Sequence, residues 1–400
     1  MTHPVMKPLG DHLVKIATWN PLRDAVDQEF SYIDLSAVDN QRKQITEWQT
    51  LVGEDAPSRA RQIVRAGDVL VSTVRPNLNG IARVPKELDG ATASTGFCVL
   101  RADPRKLSPE YLFQWVRTPG FIASMVQQAT GASYPAVSDR IIFASHIPIP
   151  PLSEQCRIAA ILDQADELRR KRQVSLERLR KMPQAFFSEM FYGSNRLPQG
   201  RIEEICSLVT DGTHYTPTYS ESGVVFLSAK NVTSGYIDWD EVKYIPESLH
   251  VDLQKRVSPK MGDVLLAKNG TTGVSAIVDR DVVFDIYVSL ALLRPGNRVL
   301  STYLHQAISS QQCRRQFTGA LKGIGVSNLH LVDIRRTEIP IPPITLQTQF
   351  EERIAVVENM RTGQKEHLTK LDALFASLQY RAFSGELTSK QAERELAIAG

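Results

Sequence analysis

The sequence predicts an α+β fold in which a globular domain of strands and short helices occurs twice, each copy followed by one long α-helix. The first observation behind this is a repeat. With a shift of 192 residues, IPIPP at 147–151 returns at 339–343, and the copies then run without a gap to Gly193 and Gly385. Gln155 matches Gln347, Leu176 matches Leu368, Leu179 matches Leu371 and Phe191 matches Phe383. Upstream, Leu35-Ser36-Ala37 pairs with Leu227-Ser228-Ala229 and Tyr111-Leu112 with Tyr303-Leu304, while small insertions set GDVL at Gly67 opposite GDVL at Gly262. A period this long belongs to whole domains and not to a solenoid. The second observation is the texture of each half, where short β-branched runs such as Val69 to Val74 and Val224 to Ala229 alternate with Gly, Pro, Asn and Asp. The third is a proline-led amphipathic segment after each half.

Taken in order, each half holds strands and turns and then one helix near its end, Pro109 to Thr118 in the first and Thr302 to Phe317 in the second. Pro150 and Pro151, like Pro342 and Pro343, block helix upstream, and Ser153 or Thr345 is placed to supply an N-cap oxygen. Beyond them Ile158, Ile161, Leu162, Ala165 and Leu168 share one helical face, followed after a basic interruption by Leu179, Met182 and Phe186. The second copy answers with Phe350, Ile354, Val357, Met360, Leu371, Leu374 and Leu378. About 40 residues make a helix roughly 60 Å long, and so narrow a stripe on so long a helix calls for a partner, the obvious one being the other copy. The plainer arrangement packs each helix on its own globular half. Pro183 is expected to kink or end the first helix, and Gly363 to weaken the second. The boundaries are 1–150 and 194–342 for the globular domains, 151–193 and 343–385 for the helices, and 386–400 for a tail.

Composition narrows the function. The chain has 400 residues, 42% hydrophobic and 23% charged, with a formal net charge of +3. No apolar run approaches the roughly 20 residues of a membrane span, and no signal-peptide core stands at the N-terminus, so a cytoplasmic protein without membrane partners is expected. The four cysteines, Cys98, Cys156, Cys206 and Cys313, are scattered and lack zinc-ligand spacing, which reads as buried, reduced thiols and no metal. There is no P-loop, HExxH, GxSxG or GxGxxG, nor the Asn/Asp-Pro-Pro-Tyr/Phe loop of amino-methyltransferases, to which Asn20-Pro21-Leu22 bears only a passing likeness. Glu241-Val242-Lys243 matches a fragment of a nuclease site that arises often by chance. Catalysis by this chain alone is not expected.

What remains are polar, glycine-punctuated loops. In the second half these are Thr210 to Pro217 and Leu266 to Gly273; the first half offers Ser72 to Gly80 after its own GDVL. Gly131 to Tyr134 and Lys322 to Asn328 form a further pair. Lys and Arg neutralise phosphates or donate to guanine, Asn reads adenine, and Thr and Tyr add phosphate or methyl contacts. The same residues also suit ordinary solvated turns. The run Arg169-Arg170-Lys171-Arg172 reads as a solvated helix face that phosphate or a partner could meet.

The tandem plan, the paired IPIPP-plus-helix segments running to Gly193 and Ser384-Gly385-Glu386-Leu387, the loop Asp211-Gly212-Thr213-His214-Tyr215-Thr216-Pro217 and GDVLLAKNGTTG resemble the specificity subunits of type I restriction-modification systems. The first half departs from this by carrying Ile16-Ala17-Thr18-Trp19-Asn20 where the second has its DGTH loop. The resemblance implies two target recognition domains held apart by an antiparallel coiled coil. It implies double-stranded DNA as ligand, a bipartite asymmetric site, and two copies of a modification subunit that carry S-adenosylmethionine and methylate adenine at N6. Restriction subunits using ATP and Mg would join them, with no cofactor on this chain. The expected readers are Thr213, His214, Tyr215, Lys230, Asn231, Lys268, Asn269, Thr271 and Thr272 in the second half, and Arg75, Asn77, Asn79, Tyr134 and Arg140 in the first. Leu162, Leu168, Leu179, Phe186, Ile354, Met360, Leu371 and Leu378 would form the coiled-coil seam. Two other readings stay open: a DNA-independent coiled-coil scaffold that tethers proteins, and a stand-alone nuclease or methyltransferase.

Overall fold

The computed structural model describes residues 5–193, 197–233, 235–320 and 328–399. It divides into two compact units, 1–174 with 366–400 and 175–365. The fold is mixed α and β in both. No helix among the described residues is long and apolar enough to cross a membrane.

In the first unit, strands 81–83, 69–72, 97–102 and 13–14 form one sheet, and strands 17–18, 60–63, 92–94, 29–33 and 49–52 a second. All pairings are antiparallel except that of 92–94 with 29–33. The run from Val69 is continuously apolar because the first sheet is covered on both faces. Val69 and Val71 face the helices, while Leu70 faces the second sheet. The second unit repeats the plan with a sheet of 206–211, 290–295, 264–267 and 275–277 and another of 243–245, 224–227 and 284–286. Here Val264 and Leu266 turn to the helices, Leu265 and Ala267 to the smaller sheet. Each domain is closed by a three-residue antiparallel clip, 6–8 with 146–148 and 199–201 with 338–340, so its first and last strands lie side by side.

The same buried polar clamps occur in both copies. Asp68 closes its turn by accepting from the Arg65 N–H and pairs with Arg101 at 2.7 Å; Asp263 accepts from the Lys260 N–H and pairs with Arg294 at 2.8 Å. The aspartate of GDVL is thus structural. Gln155, fully buried, accepts from the Ser108 N–H and donates to the Lys106 and Pro150 carbonyls; Gln347 does the same with Leu300, Arg298 and Pro342. Tyr111 and Tyr303 each donate a buried hydroxyl to a carbonyl of their own IPIPP segment, Pro148 and Pro340.

The helix near the end of each half is broken in two. Pro109–Val116 is followed by Pro119–Gln128, where Thr118 accepts from the Phe121 N–H and starts a new helix, and Ser301–Ile308 is followed by Gln311–Ala320. The long helices run Leu152–Tyr192 and Ile344–Ser384. Ser153 and Thr345 do not cap them. Both lie one residue inside, and the carbonyls of Pro151 and Pro343 take the first helical bonds from Gln155 and Gln347. The first helix does not end at Pro183 but passes through it.

Helix pairing is antiparallel within each unit. In the first unit Ile158, Leu162 and Ala165 near the start of one helix share a core with Phe375, Leu378 and Ala382 near the end of the other, and Arg169 pairs with Asp372 at 2.6 Å. In the second, Phe187 and Phe191 meet Phe350 edge to face, with centroids 5.7 and 5.4 Å apart. Both expected packings occur together, since each helix also lies on a globular domain. Leu162, Leu179, Ile354, Leu371 and Leu378 are buried and Leu168 is half-buried. Met360 departs from the expected seam. Phe186, like Leu168, is partly buried and packs against the apolar core of its unit, with the Arg353 guanidinium over its ring, whereas Met360 is 51% exposed. The first seam continues from Leu179 in steps of four through Pro183, Phe187 and Phe191, so Phe186 falls beside it. The segment after Gly385 folds as a helix, Ser389–Ala399, with Ala392 and Leu396 buried in the first unit's core.

Candidate nucleic-acid interface

In the second unit, strands 206–211, 224–227, 264–267 and 284–286 all run toward one end, where their following loops are stitched together. The Thr213 N–H donates to Ile286 and the Val288 N–H to Thr213; the Lys268 N–H donates to Ser289 and the Leu329 N–H to Lys268. Asp211 sits at the centre, 1% exposed. It accepts from Lys268 Nζ at 2.6 Å, Arg256 at 2.8 Å and His214 Nε2 at 3.2 Å. Burial opposes ionisation of Asp211, but the ion pair with Lys268 and the His214 contact outweigh it and hold the carboxyl below its ordinary value. Gly212 is required by close approach, because a Cβ there would stand 1.9 Å from the Ile286 carbonyl oxygen.

The expected readers of this half divide by exposure. Lys268, Thr213 and Asn231 are buried. Lys268 is committed to Asp211, and Asn231 accepts from the Ser228 N–H while donating to the Asp238 and Glu241 carbonyls. These three shape the loops and do not face outward. His214, Tyr215, Lys230 and Thr271 are exposed, with Asn269 and Thr272 half-buried beside them. Asn269 bridges Asn328; residues 322–327 of that expected loop lie outside the described residues. Arg256, half-exposed on Asp211, and Tyr287, whose hydroxyl lies 3.2 Å from Thr216 Oγ1, join the face although nothing in the sequence marked them.

The first unit builds the matching cluster from other side chains. Val74 bridges Ala136 as Asn269 bridges Asn328, and the Val137 N–H donates to Thr73 as that of Leu329 does to Lys268. Eight residues after each GDVL glycine the backbone is left-handed: Gly270 has φ 73°, and its counterpart Arg75 has φ 49°. A non-glycine residue pays strain there, of order 1 to 2 kcal/mol. Arg75 is exposed, and its guanidinium lies 4.6 Å over the ring of Tyr134, itself 68% exposed. Asn77 is exposed between them in sequence on the turn Pro76–Leu78, and Arg140 is exposed in the first turn of the helix Asp139–Ala144 that follows the Tyr134 loop. Asn79 is half-buried with its side-chain oxygen sheltered, so its place is in the turn.

Arg75→Gly is expected to leave the melting temperature within a few degrees of wild type. Relief of strain is offset by the roughly 0.5 to 1 kcal/mol entropy cost of glycine, while DNA binding weakens with the lost cation. Thermal melts and duplex titrations at two salt concentrations check this; a collapsed melt with unchanged binding would show that Arg75 is only a scaffold residue.

The fold and these two loop clusters define a class, a protein with tandem domains that each present a cluster of polar loops. Known proteins of one kind resemble this chain. A profile described as "Type I restriction modification DNA specificity domain" matches residues 54–178. The chain is similar to the Escherichia coli EcoBI specificity subunit, 23% identical over 340 residues that cover 76% of this chain and 71% of that protein. It is also similar to the EcoKI specificity subunit of Escherichia coli strain K12, 22% identical over 332 residues covering 76% and 71%. A solved chain from a type I restriction-modification system, in work on its complex assembly and conformational transition, superposes with a TM-score of 0.64 at 25% identity, covering 97% of this chain and 99% of that one. A crystal structure of the S subunit from M. genitalium has the same fold, with a TM-score of 0.53 at 12% identity over 95% and 96%. The chain is thus similar to type I restriction-modification specificity subunits along most of its length, and the profile it matches is one for DNA specificity.

Proposed function

We propose that the chain reads a bipartite, asymmetric DNA site, one half-site through each loop cluster, and itself performs no chemistry. The observation that supports this most is the contrast inside the duplication. Both clusters share their backbone bridges, yet their exposed side chains differ: Arg75, Asn77 and Tyr134 in one, His214, Tyr215, Lys230 and Thr271 in the other. Two domains with one frame and two sets of reading residues fit two different half-sites. Tyrosine and histidine rings with lysine and arginine cations suit contact with base edges and phosphates.

In this reading two copies of a modification subunit, carrying S-adenosylmethionine, methylate adenine at N6 where this chain directs them, and restriction subunits using ATP and Mg act on sites left unmethylated. The near-neutral net charge suits such an assembly, because phosphate contacts can be shared among partners. The test is a genome-wide map of N6-methyladenine in the native host with and without the gene. Deletion is expected to erase one asymmetric motif of two half-sites separated by a constant gap. An unchanged map, with gene and partners expressed, would refute the proposal and favour a DNA-independent scaffold.

A further inference from the structure

Among the described residues, the non-glycine positions with left-handed backbone are Lys43 (φ 56°), Arg75 (φ 49°) and Asn79 (φ 54°). They belong to one contact. Arg75 and Asn79 bracket the turn Pro76–Leu78, and Lys43 Nζ donates to the Asn79 carbonyl at 2.5 Å. Lys43 is itself held in place: Asp39 accepts from the Gln41 and Arg42 N–H groups, the Lys43 N–H returns to the Asp39 carbonyl, and strand 38–39 pairs with 44–45 to close the hairpin. The hairpin rests on the reading loop, with Asn40 Oδ1 where a Cβ on Gly80 would meet it at 3.3 Å. Strained backbone of this kind persists only where its surroundings enforce it.

We infer that Lys43 is a positioning residue for DNA reading by the first domain: its ammonium holds the Asn79 carbonyl and so fixes the left-handed turn that presents Arg75 and Asn77. The inference rests on the reading of that loop proposed above. Lys43 is poorly solvated. Burial lowers its pKa most, Arg117 at the end of helix Pro109–Val116 lowers it further, and Asp39 and Asp166 partly restore it, leaving a value of about 8. Around the same cleft stand Arg42 of its own hairpin and Arg83 and Glu87 from the segment after the turn. The long helix adds Asp163 and Arg170. A neutral amine still donates a hydrogen bond, but a weaker one than the ammonium. The first half-site should therefore be read less well as pH rises through 8, while the second, read around the Asp211 cluster, should not change in that window.

The experiment uses the full chain purified with its modification subunit, and duplexes altered in one half-site or the other, titrated between pH 7 and pH 9. Wild type is expected to lose about tenfold in discrimination at the first half-site over that range, the scale of a charge-assisted hydrogen bond. Lys43→Met should show the loss already at pH 7, and Lys43→Arg should flatten the profile. Constant discrimination by wild type across the range, or Lys43→Met reading both half-sites as wild type does while Arg75→Ala fails at the first, would overturn the positioning role. If Arg75→Ala also leaves the first half-site intact, the reading of the loop itself falls. Equal loss at both half-sites in Lys43→Met would mark a general defect and also overturn the inference.

Discussion

Asp211→Ala is expected to destabilise the second unit by about 3 to 5 kcal/mol, the scale of leaving a buried charge without its partner. Lys268 is 6% exposed and has its ammonium on Asp211; without the carboxylate the cation must either be desolvated unpaired or pull its strand end open. Arg256 and His214 lose the same anchor, so the loops carrying Tyr215 and Thr271 should loosen together. Hydrogen exchange would report this as lost protection in strands 206–211 and 264–267 with little change in the first unit's sheets. Because the Asp211 carboxyl is held below its ordinary value, its stabilisation is complete above the unfolded carboxylate pKa, about 3.9, and disappears as pH falls through the lower folded value. The difference between wild type and Asp211→Ala should thus be flat from pH 5 to 8 and shrink under strongly acid conditions. The double variant Asp211→Ala with Lys268→Met should recover much of the loss, since no buried cation is then left unpaired. A variant within about 0.5 kcal/mol of wild type, the usual range for a surface site, would mean that the pair is not the keystone of the cluster.

Removing either buried glutamine should cost nearly as much. Gln155→Ala and Gln347→Ala each strip partners from one backbone N–H and two carbonyls, and unsatisfied buried groups at about 1 to 3 kcal/mol apiece put the loss near 3 to 5 kcal/mol after relaxation. Glutamate is no remedy, since an ionised carboxylate cannot donate to the two carbonyls. The effect should be local to the first turn of the long helix and the loop before the domain's helix, 152–158 with 106–108 in one case and 344–350 with 298–300 in the other. Exchange rates in those segments that match wild type would sink the prediction.

The duplication was legible because it is written in residues that do the same structural task twice. Gln155 and Gln347, Tyr111 and Tyr303, and the GDVL aspartates align in sequence and occupy equivalent clamps in space. The loops were legible as loops, but which of their side chains face outward was not. Lys268 finds its acceptor 57 positions away, and Asn231 spends its amide on carbonyls beyond its own turn. Burial of a polar side chain by a distant partner leaves no local trace. Lys43 and Arg256 were missed for the same reason, each defined by a contact across the domain. Met182 and Phe186 follow Leu179 by steps of three and four, whereas the fully buried row advances by fours. An α-helix drifts between these spacings, and which one is used depends on the neighbour it packs against.

The clips at the base of each domain carry one more consequence. Strand 6–8 lies against 146–148 and 199–201 against 338–340, so the chain leaves each domain beside the point where it came in. From the long helix that follows, a domain is a closed loop held by a three-residue ladder, one glutamine and a shared apolar core. Changes of loop length or loop chemistry outside this contact need not disturb the helix, provided the ladder, the glutamine's three backbone partners and the apolar face on the helix are kept. The architecture separates the lettering from the handle.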